Sequence, residues 1–179
     1  MFARLFRTDR AAETAAAAAD RAVVAQARAP ALYAVLGVPD SVTGRFEMVV
    51  LHSVLVIERL RREGEAGSAL GQRVFDNFVK DMDRSLRELG FGDLGVPKRM
   101  KKMGESFYGR AEAYGRMLAD RKGLTEAIAR NVFPDSAASA GASRLALAVV
   151  VASVNTLRAM AAASSVRSPS VRPYASARP

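Results

Sequence analysis

RVFDNFVKDMDRSLRELGFGDLGVPKRMKKMGESFYGRAEAYGRML, residues 73–118, decides the fold. Phe75, Phe78, Val79, Met82, Leu86 and Leu89 recur at spacings of three and four, which predicts a helix with one apolar stripe. Gly90-Phe91-Gly92-Asp93-Leu94-Gly95 ends it, with Gly90 where a left-handed C-terminal residue is wanted. Val96-Pro97 then restarts the helix, Pro97 at its tolerated first position. Met100, Met103, Phe107, Ala111, Tyr114 and Leu118 form the second stripe. Gly104 and Gly115 beside it each cost about 1 kcal/mol relative to alanine. Close approach of another helix backbone is the simplest way to offset that cost.

Upstream, residues 44–63 read GRFEMVVLHSVLVIERLRRE, apolar on nearly every side of a helical wheel. A helix of that kind belongs at the centre of a bundle. Its valines also suit a buried strand, and length favours helix. Val38-Pro39-Asp40-Ser41 supplies the turn before it, with Ser41 or Thr43 as cap. Glu63–Ser68 reads as a loop. Ala31–Gly37 is a short helical piece, and the alanine-rich 11–29 is helical up to Pro30, which ends or bends it. Phe2, Leu5 and Phe6 oppose Arg4 and Arg7. That pattern fits a helix on an anionic membrane surface, although an ordinary frayed terminus is the favoured reading.

Downstream, Lys122-Gly123 breaks the chain and Leu124–Val132 is a short helix. Asp135 or Ser136 caps the next segment, and Ser143–Ala163 is a last core helix. Residues 164–179, rich in serine, proline and arginine, are expected to be disordered. The expected organisation is an all-α compact helical bundle: a 1–30 helical extension, a 31–163 domain and a 164–179 basic tail.

The chemistry available is narrow. There is no cysteine and one histidine, His52, in 179 residues. Disulfides and thiolate metal sites are excluded, and a Ser-His-Asp triad or zinc centre has little to draw on. His52, inside the apolar run, reads as a hydrogen-bonded core residue. Asp81 and Asp83 lie about 200° apart around their helix and flank the stripe on opposite sides, so they do not cooperate as acid and base. The glycines at 90–95 follow no strand and match no phosphate-loop pattern. No metal, cofactor or catalytic residue is expected. The longest apolar run, 145–154, is too short for a bilayer core of roughly 30 Å.

The net charge of +9 is uneven. By segment it is +2 over 1–30, −2 over 31–96, +5 over 97–122, +1 over 123–163 and +3 over 164–179. Lys98, Arg99, Lys101, Lys102, Arg110 and Arg116 spread over the helix that carries most of the excess. Such a face suits RNA, acidic lipid or an acidic protein, or is simply solvated.

Asp81-Met82-Asp83, Leu86-Arg87-Glu88-Leu89-Gly90, Asp93 with Val96-Pro97, Lys101-Lys102 and Phe107-Tyr108-Gly109-Arg110 with Tyr114 together resemble the ubiquinol–cytochrome c chaperone family. Leu51-His52 and Glu58-Arg59-Leu60 fit too, and the resemblance covers roughly residues 31–125. It implies an all-helical assembly factor for the cytochrome bc complex. The client implied is nascent or newly inserted cytochrome b, and the activity is binding. A small partner protein and the ribosome are further partners the resemblance raises; an anionic membrane surface is expected from the N-terminal pattern and the charge, and DNA is not expected. The chain departs from the mitochondrial form in lacking an evident transit sequence and in its short arginine-bearing tail. The expected contact residues are Asp81, Asp83, Arg87, Glu88, Asp93, Lys101, Lys102, Tyr108, Arg110 and Tyr114, on a protein peripheral at the inner face of the cytoplasmic membrane.

Two rivals come from other classes. A ribosome- or RNA-binding module would use helix 97–122 and the tail through phosphate neutralisation, but aromatics are not interleaved with the basic residues. An enzyme acting on a quinone or lipid would need an enclosed pocket with convergent polar groups.

Overall fold

A computed structural model describes residues 2–117 and 121–133, with Arg144, Leu145 and Ala148 beyond them. The described residues are helical and contain no strand. Six helices follow one another: α1 (Phe2–Ala27), α2 (Pro30–Ala34), α3 (Val42–Arg61), α4 (Gly64–Glu88), α5 (Gly95–Met117) and α6 (Arg121–Val132).

α3 is the axis of the bundle. Its apolar middle, residues 47–56, has no exposed residue, and α1, α4, α5 and α6 all pack against the helix. Met48, Val50, Leu51, Val54, Leu55 and Val56 are all nearly or wholly inaccessible. Ser41 caps its N-terminus, accepting a 3.1 Å hydrogen bond from the Gly44 amide. His52 lies in the core, its Nδ1 2.8 Å from the Met48 carbonyl. Burial pushes its pKa down, the hydrogen bond opposing; the neutral ring donates to that carbonyl.

The α3–α4 connection departs from the sequence reading. Glu63–Ser68 is no loop: α4 begins at Gly64. Only Arg62 and Glu63 make the turn, with Gly64 at φ +82°. Gly67 lets the two helices close on each other, since a Cβ there would stand 2.1 Å from the Leu60 carbonyl oxygen. The glycines that suggested a loop instead permit a tight corner.

α4 ends as expected. Gly90, at φ +84°, places the Phe91 amide on the Leu86 carbonyl (3.2 Å) and its own amide on the Arg87 carbonyl (2.9 Å). This is the Schellman arrangement. α5 starts at Gly95, which puts Pro97 third. Lys122 and Gly123, read as a break, lie inside α6. Pro30 opens α2, and α1 is one helix rather than a short piece followed by a longer one.

α1 packs on α3 and α4 through small side chains. Ala16, Ala19 and Val23 meet Val56, Leu60 and Val74 in a cluster apart from the main core. The main core gathers Phe78, Phe107, Tyr114, Ile128 and Leu145 around α3. The cap at Asp135 or Ser136, most of the 143–163 helix and the 164–179 tail fall outside the described residues.

Candidate functional site: a groove between α3, α4 and α5

Phe75 of α4 and Phe107 of α5 pack in a tilted arrangement with centroids 5.0 Å apart, and Phe78 is 4.9 Å from Phe107. Tyr108 continues this cluster outward, 5.6 Å from Phe75, yet is 62% exposed. Beside it the three helices leave an open groove of about 710 Å³. Its apolar lining comes from Ile57, Gly71, Phe75, Phe107, Ala111 and Gly115. Glu58, Arg61, Ser68, Gln72, Glu112 and Arg116 add polar groups.

Those charges are already matched. Arg61 donates to Glu58 at 3.0 Å, and Arg116 donates to Glu112. Glu58 also lies over the α5 backbone: a Cβ on Gly115 would stand 3.3 Å from its carboxyl carbon. The close neighbour of Gly115 is therefore a side chain of α3, not a helix backbone. Gly104 has nothing within 4 Å of its would-be Cβ, so close packing does not account for it.

The arrangement suits binding. The groove presents no nucleophile held by a base, and both of its carboxylates are engaged by arginines. Among the described residues no cluster of three or more possible metal ligands occurs. What remains is apolar area with a balanced charged margin, the profile of a surface that accepts an apolar segment.

The residues singled out from sequence fall into four places. Tyr108 is in the groove. Asp83, Arg87 and Asp93 form one cluster at the far end of α4, where Arg87 donates to Asp83 at 2.8 Å and to Asp93 at 2.7 Å. Glu88, Lys101 and Lys102 are exposed around the same corner. Asp81 faces α1, hydrogen-bonded to Asp20, whose pKa is raised by burial first and by Asp81 next.

Arg110 and Tyr114 lie underneath. Arg110 grips Glu47 of α3 with two nitrogens, Nε at 2.5 Å from Oε2, and also donates to the Ser106 carbonyl at 3.2 Å. Glu47 is 2% exposed. Tyr114 is wholly buried, and burial drives its pKa up, with Glu47 adding to the shift. Its hydroxyl has no hydrogen-bond partner among the described residues, although Asn131 lies near. Asn131 donates to the Ala127 carbonyl instead.

Sequence reasoning missed Glu47 and the α3 wall of the groove. One signal was present: Glu47 is the lone acid between Arg45 and His52 in an otherwise apolar run. The α3 wall offered only the resemblance at Glu58-Arg59-Leu60, since Ile57 and Arg61 read as the ordinary end of a core helix.

Comparison with known proteins agrees with this architecture. The family described as Ubiquinol-cytochrome C chaperone matches residues 34–169. A crystal structure of the Cbp3 homolog from Brucella abortus superposes with a TM-score of 0.75 at 42% identity, covering 87% of this chain and 88% of that one. The comparison with curated proteins finds no match. The chain belongs to the ubiquinol–cytochrome c chaperone family, and its broad role is that of a chaperone in assembly of the cytochrome bc complex.

Proposed function

We propose that this chaperone holds an apolar segment of newly made cytochrome b in the α3–α4–α5 groove, without catalysing a reaction, at the inner face of the cytoplasmic membrane. The observation that carries the reading is the groove itself: an aromatic and aliphatic lining open to solvent, ringed by charges that are already paired. An apolar client segment gains by leaving water there, and the rim adds no unmatched charge to repel it. Tyr108 is the exposed anchor. Arg110 and Tyr114 act by fixing α5 against α3, and Asp81 by its place against α1. Asp83, Arg87, Glu88 and Asp93 supply a charged contact at the other end of α4.

The test combines gene deletion with photocrosslinking. Deletion should remove cytochrome b selectively from membrane spectra, with other respiratory complexes intact. A photoreactive residue at position 108 should crosslink to cytochrome b, and Tyr108→Ala should lower its level at unchanged melting temperature. Unchanged cytochrome b after deletion would end the proposal. Normal cytochrome b yield and no crosslink from position 108 would remove the groove from it.

A further inference from the structure

The α4–α5 turn carries an apolar tip beside a block of cations, away from the groove. Leu94 is 97% exposed and Leu89 64% exposed. Between them Phe91 is occupied: the Arg99 guanidinium sits 3.7 Å from its ring centroid. Lys98, Lys101 and Lys102 are exposed on the first turns of α5, on the side away from buried Val96 and Phe107. No acidic residue occurs from Leu94 to Gly104. Of the acids just before that stretch, Asp83 and Asp93 pair with Arg87, and Glu88 is exposed at the same corner.

Cations alone serve any polyanion, and RNA binding through phosphates needs nothing more. Two exposed leucines at the same corner serve a different surface. At an anionic bilayer the apolar side chains enter the boundary of the acyl region, while the ammonium groups meet lipid phosphates. We infer that the α4–α5 turn docks the protein on an anionic lipid surface, with Leu89 and Leu94 inserting and Lys98, Lys101 and Lys102 on the headgroups. Lys101 and Lys102 then contact lipid and not the client. Lipid docking is distinguishable from client binding in the groove, since it is read without cytochrome b.

The experiment is flotation of the purified full-length chain with vesicles of phosphatidylcholine alone, or of phosphatidylcholine and phosphatidylglycerol in equal parts. Wild type should float with the anionic vesicles, weakly with the neutral ones, and less as salt rises. Leu89→Ser with Leu94→Ser should weaken partitioning at least about tenfold, because each inserted leucine removes apolar area from water. Circular dichroism and melting should stay unchanged, as both side chains are exposed. Lys98→Gln, Lys101→Gln and Lys102→Gln together should abolish the preference for phosphatidylglycerol. No flotation of wild type with anionic vesicles overturns the inference. So does a leucine variant that floats like wild type, which would assign lipid binding elsewhere in the chain. Salt-sensitive RNA binding that survives the leucine changes, without vesicle binding, would make the cations a nucleic-acid patch.

Discussion

Arg110 and Glu47, 63 positions apart, meet as a two-nitrogen, two-oxygen pair beneath the surface of the bundle. Glu47 is almost wholly buried and Arg110 about one-fifth exposed. The pair pins α5 to α3, and the spacing of those two helices sets the width of the groove. Breaking a buried pair by removing one partner typically costs about 3–5 kcal/mol, because the other charge is left uncompensated. Glu47→Ala and Arg110→Ala should therefore each lower the melting temperature clearly. Glu47→Met with Arg110→Met should recover much of the loss. Chemical denaturation of all three proteins checks this, and singles that melt like wild type would show that the pair contributes little.

Tyr114 supplies a complementary case. Its ring fills the core, but its hydroxyl is buried without a partner among the described residues. An unsatisfied buried polar group costs about 1–3 kcal/mol. Tyr114→Phe should leave stability unchanged or raise it, whereas Tyr114→Ala should lose about 3–5 kcal/mol from the cavity it opens. Thermal melts of both variants check the contrast.

Gly104 is open to substitution. Nothing lies within 4 Å of a Cβ added there, and it is in the middle of α5. Gly104→Ala should stabilise the protein by up to about 1 kcal/mol through helix propensity. At Gly115 the same change should gain less, since Glu58 must shift aside. Denaturant midpoints measured side by side give the order.

Asp20 and Asp81 link α1 to α4, and Asp20 is held above its ordinary carboxylate pKa by burial and then by Asp81. The folded state therefore binds this proton more tightly than the unfolded chain. The stabilisation is complete below the unfolded value, near 3.8, and is lost as pH rises through the higher folded value. Asp20→Asn should raise the melting temperature at pH 7 and change it little at pH 3.5. A gain of equal size at both pH values would rule out the carboxyl as the cause.

His52 works in the opposite sense. Burial holds its pKa below the ordinary 6.5, so its contribution is present above that value and lost as pH falls through the lower folded value. The wild-type protein should lose stability between pH 7 and pH 5 on this account. His52→Leu should flatten that part of the melting-temperature profile.

Much is legible along the chain. The stripes of 73–118 from Phe75 to Leu86 and from Met100 to Tyr114, the Gly90 terminus, the Ser41 cap and the central place of α3 follow from local rules of spacing, capping and backbone freedom. Leu89, read as part of the first stripe, is instead exposed beyond the helix end, and Leu118 lies outside the described residues. The EGEAGS segment reads wrongly as a loop because glycine serves loops and tight helix corners alike. Composition cannot tell the two apart; the 2.1 Å approach at Gly67 does.

The sequence by itself determined the all-α class, the absence of cysteine chemistry, the concentration of charge on α5 and the family resemblance, since each is a property of residue type and order. Tertiary structure alone decided what the charged and aromatic residues face. Arg110 and Arg116 lie six positions apart on one helix, yet one is spent on buried Glu47 and the other on neighbouring Glu112. Tyr108 and Tyr114 have the same separation, and one is exposed in the groove while the other is sealed in the core. Periodicity fixes the angle of a side chain around its own helix. What stands at that angle depends on the neighbouring helices, and only their packing brings residues 47 and 110 together.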